Sequence, residues 1–210
     1  VLTMLPGLRG AGASAGDTIT MVTSDHGEML GDHHLWRKSL PYEGAARIPL
    51  VVRAPARFGI RPGTVIDQPV VLEDIMPTLL DFAGVEIPSR VDGESLRPLL
   101  TATGGLLRER VHLELANTDD TSFHALTDGR MKYVWYTQTG REQLFDLDAD
   151  PDETTDLALQ HGHAAELDRW RRMLIEELAG RAEGFVQGGA LVAGRRYRPL
   201  PPADSTRPTG

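Results

Sequence analysis

The chain has no cysteine. That absence excludes disulfides, thiolate metal sites and a cysteine nucleophile from the 210 residues as written. It also lacks any apolar run near the roughly 20 residues needed to span a bilayer, so a soluble chain without a membrane partner is expected. Positive charge is in the minority, with 22 Lys and Arg against 30 Asp and Glu and a net charge of −8. Nucleic-acid binders normally present a basic face, so no nucleic-acid partner is expected. No internal repeat is visible. The first residue is Val1 and no signal-peptide pattern precedes the first apolar run, so a processed or truncated piece is expected. The compartment is not readable from such a start, beyond a lean toward the cytoplasm.

What is present is 40% hydrophobic residues, enough to bury a sizeable core as one domain or a domain with a small satellite. Residues 18 to 23, "TITMVT", and 48 to 54, "IPLVVRA", are short β-branched runs that predict strands buried on both faces. "DIMPTLLDF", from Asp74 to Phe82, predicts a helix with Pro77 early and Gly84 just past its end. Strands mixed with helices favour an α/β layer architecture. "LTATGGLLRER", residues 100 to 110, reads as a linker. Beyond it "VHLELA", "SFHALT", "MKYVWYT" and "EQLFDL" are separated by turn signals at Asp128-Gly129 and Gly140, the pattern of an antiparallel meander. Residues 164 to 179 place Leu167, Trp170, Leu174 and Leu178 on one helical face, ready to cover such a sheet. The tail from about Gly188 reads as irregular.

Chemistry concentrates in "TSDHGEMLGDHHLWRK", residues 23 to 38, where a core strand gives way to a charge-dense loop. Ligands of open α/β sheets sit beyond the carboxyl ends of strands, and Asp25 and His26 follow the strand directly. Side chains of neighbours in a strand point to opposite faces, so two of them share an ion only where the chain turns, and Gly27 supplies that freedom. A carboxylate with an imidazole suits a divalent cation, oxygen favouring calcium, magnesium or manganese and the imidazole leaning toward manganese. Two ligands are too few to close a site. Lys38 is placed to neutralise an anionic ester and the charge that grows on it during displacement. Against this stand plainer readings: Asp-His-Gly is a turn in most proteins, a loop lysine is usually solvated, and His33, His34, Glu28 and Asp32 read as surface groups.

The segment "TSDHGEMLGDHHLWRKSLPYEGAARIPLVVRAP" resembles the sulfatases of the alkaline phosphatase superfamily. Their pattern is a strand, Ser-Asp-His/Asn-Gly, a Gly-acidic-His stretch, a lysine twelve residues after the His/Asn, and an Arg-x-Pro-Leu strand. Here those elements are Ser24, Asp25, His26, Gly27, Gly31, Asp32, Lys38, Arg47, Pro49 and Leu50. "DIMPTLLDFAGVEIP", "DGESLRPLL", "DGRMKYVWY" and "EQLFDLDADPDETTDLA" are similar to later sulfatase landmarks, in the same order. The Asp-His form is like that of choline sulfatases and phosphonate monoester hydrolases.

The resemblance implies that Asp25 and His26 are ligands of one active-site metal, calcium by preference or manganese, and that Lys38 contacts the sulfate oxygens. It implies part of an alkaline-phosphatase-like sandwich with a mixed sheet over residues 1–105. A small antiparallel sheet packed by a helix would follow over 106–185, and an irregular tail over 186–210. The expected function is metal-dependent hydrolysis of a small-molecule sulfate ester. The alternatives are a phosphonate or phosphate diester hydrolase of the same superfamily, or a non-catalytic fragment or assembly module. A homo-oligomer is left open.

The resemblance fails at one place. The family nucleophile is a formylglycine made within Cys/Ser-x-Pro-x-Arg, and that signature does not occur in these 210 residues. "EIPSR", residues 86 to 90, mimics it with Glu86 in the nucleophile position and reads as coincidence. The chain as written is therefore expected to be the C-terminal half of a sulfatase, inactive by itself, with the nucleophile in an upstream segment. Two further patterns are decoys. "DLDADPDETTDL" has Pro151 where a calcium loop needs Gly and Leu157 where it needs Glu, so a strand end and turn is the better reading. Tyr133, Trp135 and Tyr136 are expected to pack a sheet rather than stack bases.

Overall fold

The computed structural model describes residues 17–116 and 120–195. In chain order the elements are β1 (Thr20–Thr23), α1 (Glu43–Ala46), β2 (Leu50–Arg53), α2 (Ile75–Phe82), α3 (Arg97–Leu100) and β3 (Val111–Leu115). They continue with β4 (Phe123–Thr127), β5 (Met131–Tyr136), β6 (Glu142–Asp146), α4 (Ala164–Leu178), β7 (Val186–Gln187) and β8 (Ala190–Leu191). The content is mixed α/β with antiparallel sheets and few helices. Of the described residues, 17–25 and 48–109 form one compact unit, and 26–47, 110–116 and 120–195 form the other.

In the first unit β1 and β2 pair antiparallel, Thr20 opposite Arg53 and Thr23 opposite Leu50. The two strands predicted from β-branched runs are both present, but neither is buried on both faces. Every residue of β1 is half-buried and Val51 of β2 is 60% exposed. A two-stranded ribbon gives each strand a single neighbour, and among the described residues of this unit no layer covers Val51. Helix α2 matches its sequence signals. Pro77 lies in the first turn, where a missing N–H leaves no helical bond unmade. Gly84 takes φ +69 just past the end, the left-handed stop that closes many helices.

Asp74 anchors the start of α2. Its carboxylate, fully buried, accepts the backbone N–H of Val71 and of Glu94, each at 2.9 Å, and both guanidinium arms of Arg108 at 2.5 and 2.6 Å. Glu94 belongs to the "DGESLRPLL" stretch, which this carboxylate ties to the helix. Gly93 admits the approach, because a Cβ there would run into the Glu73 carbonyl.

In the second unit the meander is complete, with strand order β3-β4-β5-β6 and each neighbour antiparallel. Alternation sends Leu126, Tyr133, Trp135 and Leu144 to one face, where Trp170, Leu174 and Leu178 of α4 and Phe185 meet them. Burying each such side chain stabilises by about 1.5–3 kcal/mol. The opposite face carries Phe123, Ala125, Val134 and Tyr136, packed by Leu40, Leu113 and Leu115. Phe145 on that face meets Met29, Tyr42 and Ala45. Segment 26–47 is therefore the cover of this second face. With both faces covered, every residue of β4 is buried. Tyr133, Trp135 and Tyr136 are core residues, as their sheet context predicts.

β6 ends at Asp146, whose Oδ1 accepts the N–H of Asp148 and Ala149, so "DLDADPDETTDL" opens as a strand end and turn, as its Pro151 and Leu157 predict. The tail is not irregular from Gly188: β7 and β8 pair as a hairpin, Val186 opposite Leu191, around Gly188 and Gly189. Both glycines have positive φ, the backbone a tight two-residue hairpin requires. Residues 196–210 lie outside the described residues. No helix among the described residues is long and apolar enough to cross a membrane.

Candidate functional site

The segment from Ser24 to Arg47 begins where β1 stops at Thr23. Asp25 is exposed at a bend and is the last residue of the first unit. His26 is half-buried and opens the second. The His26 Nδ1 lies 2.6 Å from the carbonyl of Gly27. A carbonyl only accepts, so Nδ1 carries the proton and Nε2 is the nitrogen with the lone pair. Gly27 cannot be another residue without a shift of main chain, because a Cβ would collide with the Gly44 carbonyl. That close approach lets Gly27 N–H donate to Ala45 O and Glu28 N–H to Gly44 O, both at 2.8 Å.

The return of the loop is tightly bound to its start. Met29 is 1% exposed and donates its N–H to the Arg37 carbonyl at 3.0 Å. The Glu28 carboxylate accepts the Arg37 N–H. Leu30, His33, His34 and Arg37 all hold positive φ, from 50° to 74°. Such backbone costs of order 1–3 kcal/mol per residue and persists only where surrounding contacts over-determine it. Lys38 follows this strained turn directly. It is exposed and has no ion pair among the described residues. His33 stacks on Tyr42 with ring centroids 4.2 Å apart and 10° between planes, so it is a packing group. His34 and Asp32 are exposed.

Beneath the loop lies a feature that sequence reasoning missed. Lys132 of β5 is fully buried, and its Nζ lies 2.7 Å from Glu43 Oε1, 2.8 Å from Glu153 Oε1 and 2.8 Å from the Pro41 carbonyl. Glu153 also accepts the Glu43 N–H at 2.5 Å. Burial pushes the Glu153 carboxyl upward, against the opposing pull of the ammonium. Lysine is rarely buried unless paired, so this position had a chemical signal, but its partners lie 89 and 21 positions away in the sequence.

The segment thus carries a carboxylate and an imidazole at consecutive positions of the chain, followed by an exposed ammonium after a hydrogen-bonded turn. Residues 31–179 match the family model described as N-sulphoglucosamine sulphohydrolase, C-terminal. An arylsulfatase of Clostridium perfringens is 41% identical over 179 residues, covering 85% of this chain and 37% of that protein. A choline-sulfatase of Rhizobium meliloti is 42% identical over 146 residues, covering 68% of this chain and 27% of that protein. Among solved structures, a phosphonate monoester hydrolase from Silicibacter pomeroyi aligns with TM-score 0.66 and 33% identity over 87% of this chain and 40% of that one. The chain thus spans about a third of the length of the curated relatives it matches.

Proposed function

We propose a function from one premise: the chain belongs to the sulfatase family of the alkaline phosphatase superfamily. It is the C-terminal part of a metal-dependent sulfuric ester hydrolase, contributing Asp25 and His26 as metal ligands and Lys38 as the group that binds the sulfate. The observation that carries this reading is the His26–Gly27 contact, which engages the imidazole through Nδ1 and so orients the ring directly after Asp25. The donor set, one carboxylate and one neutral imidazole, fits a divalent ion of the calcium or manganese kind when water, substrate or other residues complete the shell.

When bound, such an ion supplies Lewis-acid polarisation of an ester oxygen. The protein's own share is positional. Gly27 and Gly44 let two chain segments touch, the Arg37 carbonyl and N–H hold the turn, and Lys38 leaves that turn as a point charge for an oxyanion. A formylglycine nucleophile is the family's reacting group, and no Cys/Ser-x-Pro-x-Arg within these residues supplies it. The substrate class is a small anionic ester, in line with the arylsulfatase and choline-sulfatase relatives. The likeness to a phosphonate monoester hydrolase favours phosphonate esters as a second substrate class.

The test uses protein that carries this segment together with its nucleophile. Asp25→Ala and His26→Ala should each lower bound metal and kcat/KM for an aryl sulfate. Unchanged metal content with unchanged turnover in both variants overturns the assignment. The ratio of kcat/KM for an aryl sulfate to that for a phenyl phosphonate ester decides between the two substrate classes.

A further inference from the structure

On the face of the meander covered by α4, three donor atoms from two strands converge. His112 and Glu114 are alternate residues of β3, so their side chains share a face, and His124 of β4 sits directly opposite Glu114 in the ladder. The His112 Nε2 is 3.0 Å from His124 Nδ1, and Glu114 Oε2 is 3.4 Å from His124 Nδ1 and 4.0 Å from His112 Nε2. Donors 2.0–2.2 Å from a tetrahedral ion stand roughly 3.3–3.6 Å from one another. The observed spacings bracket that range.

We propose that His112, Glu114 and His124 form a transition-metal site, with zinc as the preferred ion, distinct from Asp25 and His26 and serving to pin the edge strand β3 to β4. Two imidazoles and one carboxylate are the donor set of three-ligand zinc sites, and nitrogen donors disfavour calcium and magnesium. His124 is 4% exposed and Glu114 side chain 46% exposed, so the cluster has a dry base and a wet rim through which an ion enters. A shallow pocket lined by Glu114, Ser122, His124 and Phe185 gives room beside two of the donors for a water in the fourth position.

The surroundings match those of metal ligands. The other nitrogen of His112, Nδ1, faces Glu177 Oε1 of α4 at 3.7 Å, near enough for a small side-chain movement to make the hydrogen bond that orients a ligating imidazole. Arg181 donates to Glu114 Oε2 at 2.6 Å and to Glu183 at 2.7 Å. Glu114, Glu177 and Glu183 gather carboxylates around the two imidazoles, a setting that favours a cation. Without an ion, the two rings meet nitrogen to nitrogen and must hold a proton between them, and the carboxylate leans on Arg181. Binding swings both rings to aim at a common point, while Arg181 stays as the partner that orients Glu114.

The test is zinc alone, titrated calorimetrically into the full chain bearing Asp25→Ala and His26→Ala, which removes the other candidate site. One equivalent should bind and raise the melting temperature. In that background His112→Ala should weaken zinc at least tenfold and abolish the thermal shift, Glu114→Gln should act likewise, and Glu177→Gln should weaken zinc about 10-fold to 100-fold. His112 is the primary variant because His124 is buried and its loss could unfold the sheet. Cobalt(II) should give the visible bands of a tetrahedral ion, with calcium failing to compete. Sub-stoichiometric zinc, or zinc uptake and melting unchanged in both His112→Ala and Glu114→Gln, overturns the proposal and assigns the residual binding to other histidines such as His161 and His163.

Discussion

The buried ammonium of Lys132 lies 2.7 Å from the Glu43 carboxylate, a contact that joins the middle of the small sheet to the helical turn beside the loop of His26. Because Glu153 holds the same ammonium at 2.8 Å and the Glu43 N–H as well, the three residues form one unit. Replacing one charge of a buried pair strands the others, at a cost of about 3–5 kcal/mol. Lys132→Met should therefore lower unfolding free energy by about that amount. Lys132→Met with Glu153→Gln should recover part of the loss, because it removes a stranded carboxylate. Urea denaturation of the single and double variants measures both, and a single-variant loss under about 1 kcal/mol excludes a structural role for the cluster.

In the first unit the Asp74–Arg108 pair gives a pH signature. Burial alone would raise the Asp74 carboxyl, but the two arms of Arg108 and the N–H groups of Val71 and Glu94 outweigh it and hold the carboxyl below its ordinary range. A folded-state pKa below the unfolded value stabilises the fold fully above the unfolded value of ~3.9, and that contribution is lost as pH falls further. Unfolding free energy in wild type should thus drop more steeply than in Asp74→Asn as pH falls below about 4. Arg108→Ala should cost about 3–5 kcal/mol at neutral pH. Parallel pH-stability curves for wild type and Asp74→Asn contradict this account.

Gly27→Ala tests the loop without touching charge. The new methyl meets the Gly44 carbonyl, which is main chain and cannot rotate away, so the strands of the loop must part. The bonds from Gly27 to Ala45 and from Glu28 to Gly44 then lengthen, and His26 loses its fixed orientation. We expect metal affinity to fall at least tenfold while the meander and α4 keep their secondary structure by circular dichroism. Wild-type affinity in Gly27→Ala means that the close approach does not position His26.

What the residues revealed in advance, and what they hid, follows range along the chain. The meander was legible because Asp128-Gly129 and Gly140 mark its turns and β-branched and aromatic residues fill its strands. Helix α4 was legible because Trp170, Leu174 and Leu178 repeat at helical spacing. The β7–β8 hairpin is equally local, two short apolar runs around Gly188-Gly189, but its glycines and the Pro- and Arg-rich residues after it carry the composition of an irregular tail. The exposure of Val51 was not local, since a β-branched run reads alike whether or not another layer covers it. Lys132 with Glu43 and Glu153, and His112 with His124, depend on pairings between distant segments. For the histidines the spacing of His112 and Glu114 on a strand was a visible half of the pattern. The other half needed the β3–β4 register, which sequence alone leaves open.

Lys38 carries the last and most direct prediction, for protein that includes the nucleophile. It leaves a turn fixed by Met29, Arg37 and Glu28, and its ammonium is exposed with no ion pair among the described residues, so it is available to an anion. A sulfate ester is anionic throughout, and charge grows on its bridging oxygen as the bond breaks. An interaction that strengthens at that moment lowers the barrier, whereas one of equal strength beforehand lowers only KM. Loss of one such contact typically costs roughly 10²-fold to 10³-fold. Lys38→Ala should therefore reduce kcat/KM by about that factor and leave metal content unchanged. Lys38→Arg should rescue only in part, because a planar fork does not replace a compact charge at the same point. Arg37→Ala is the control: it removes the adjacent charge and keeps the main-chain bonds through which Arg37 holds the turn. Small and equal losses in Lys38→Ala and Arg37→Ala make Lys38 a solvated loop charge, and the sulfate contact must then be sought on another residue.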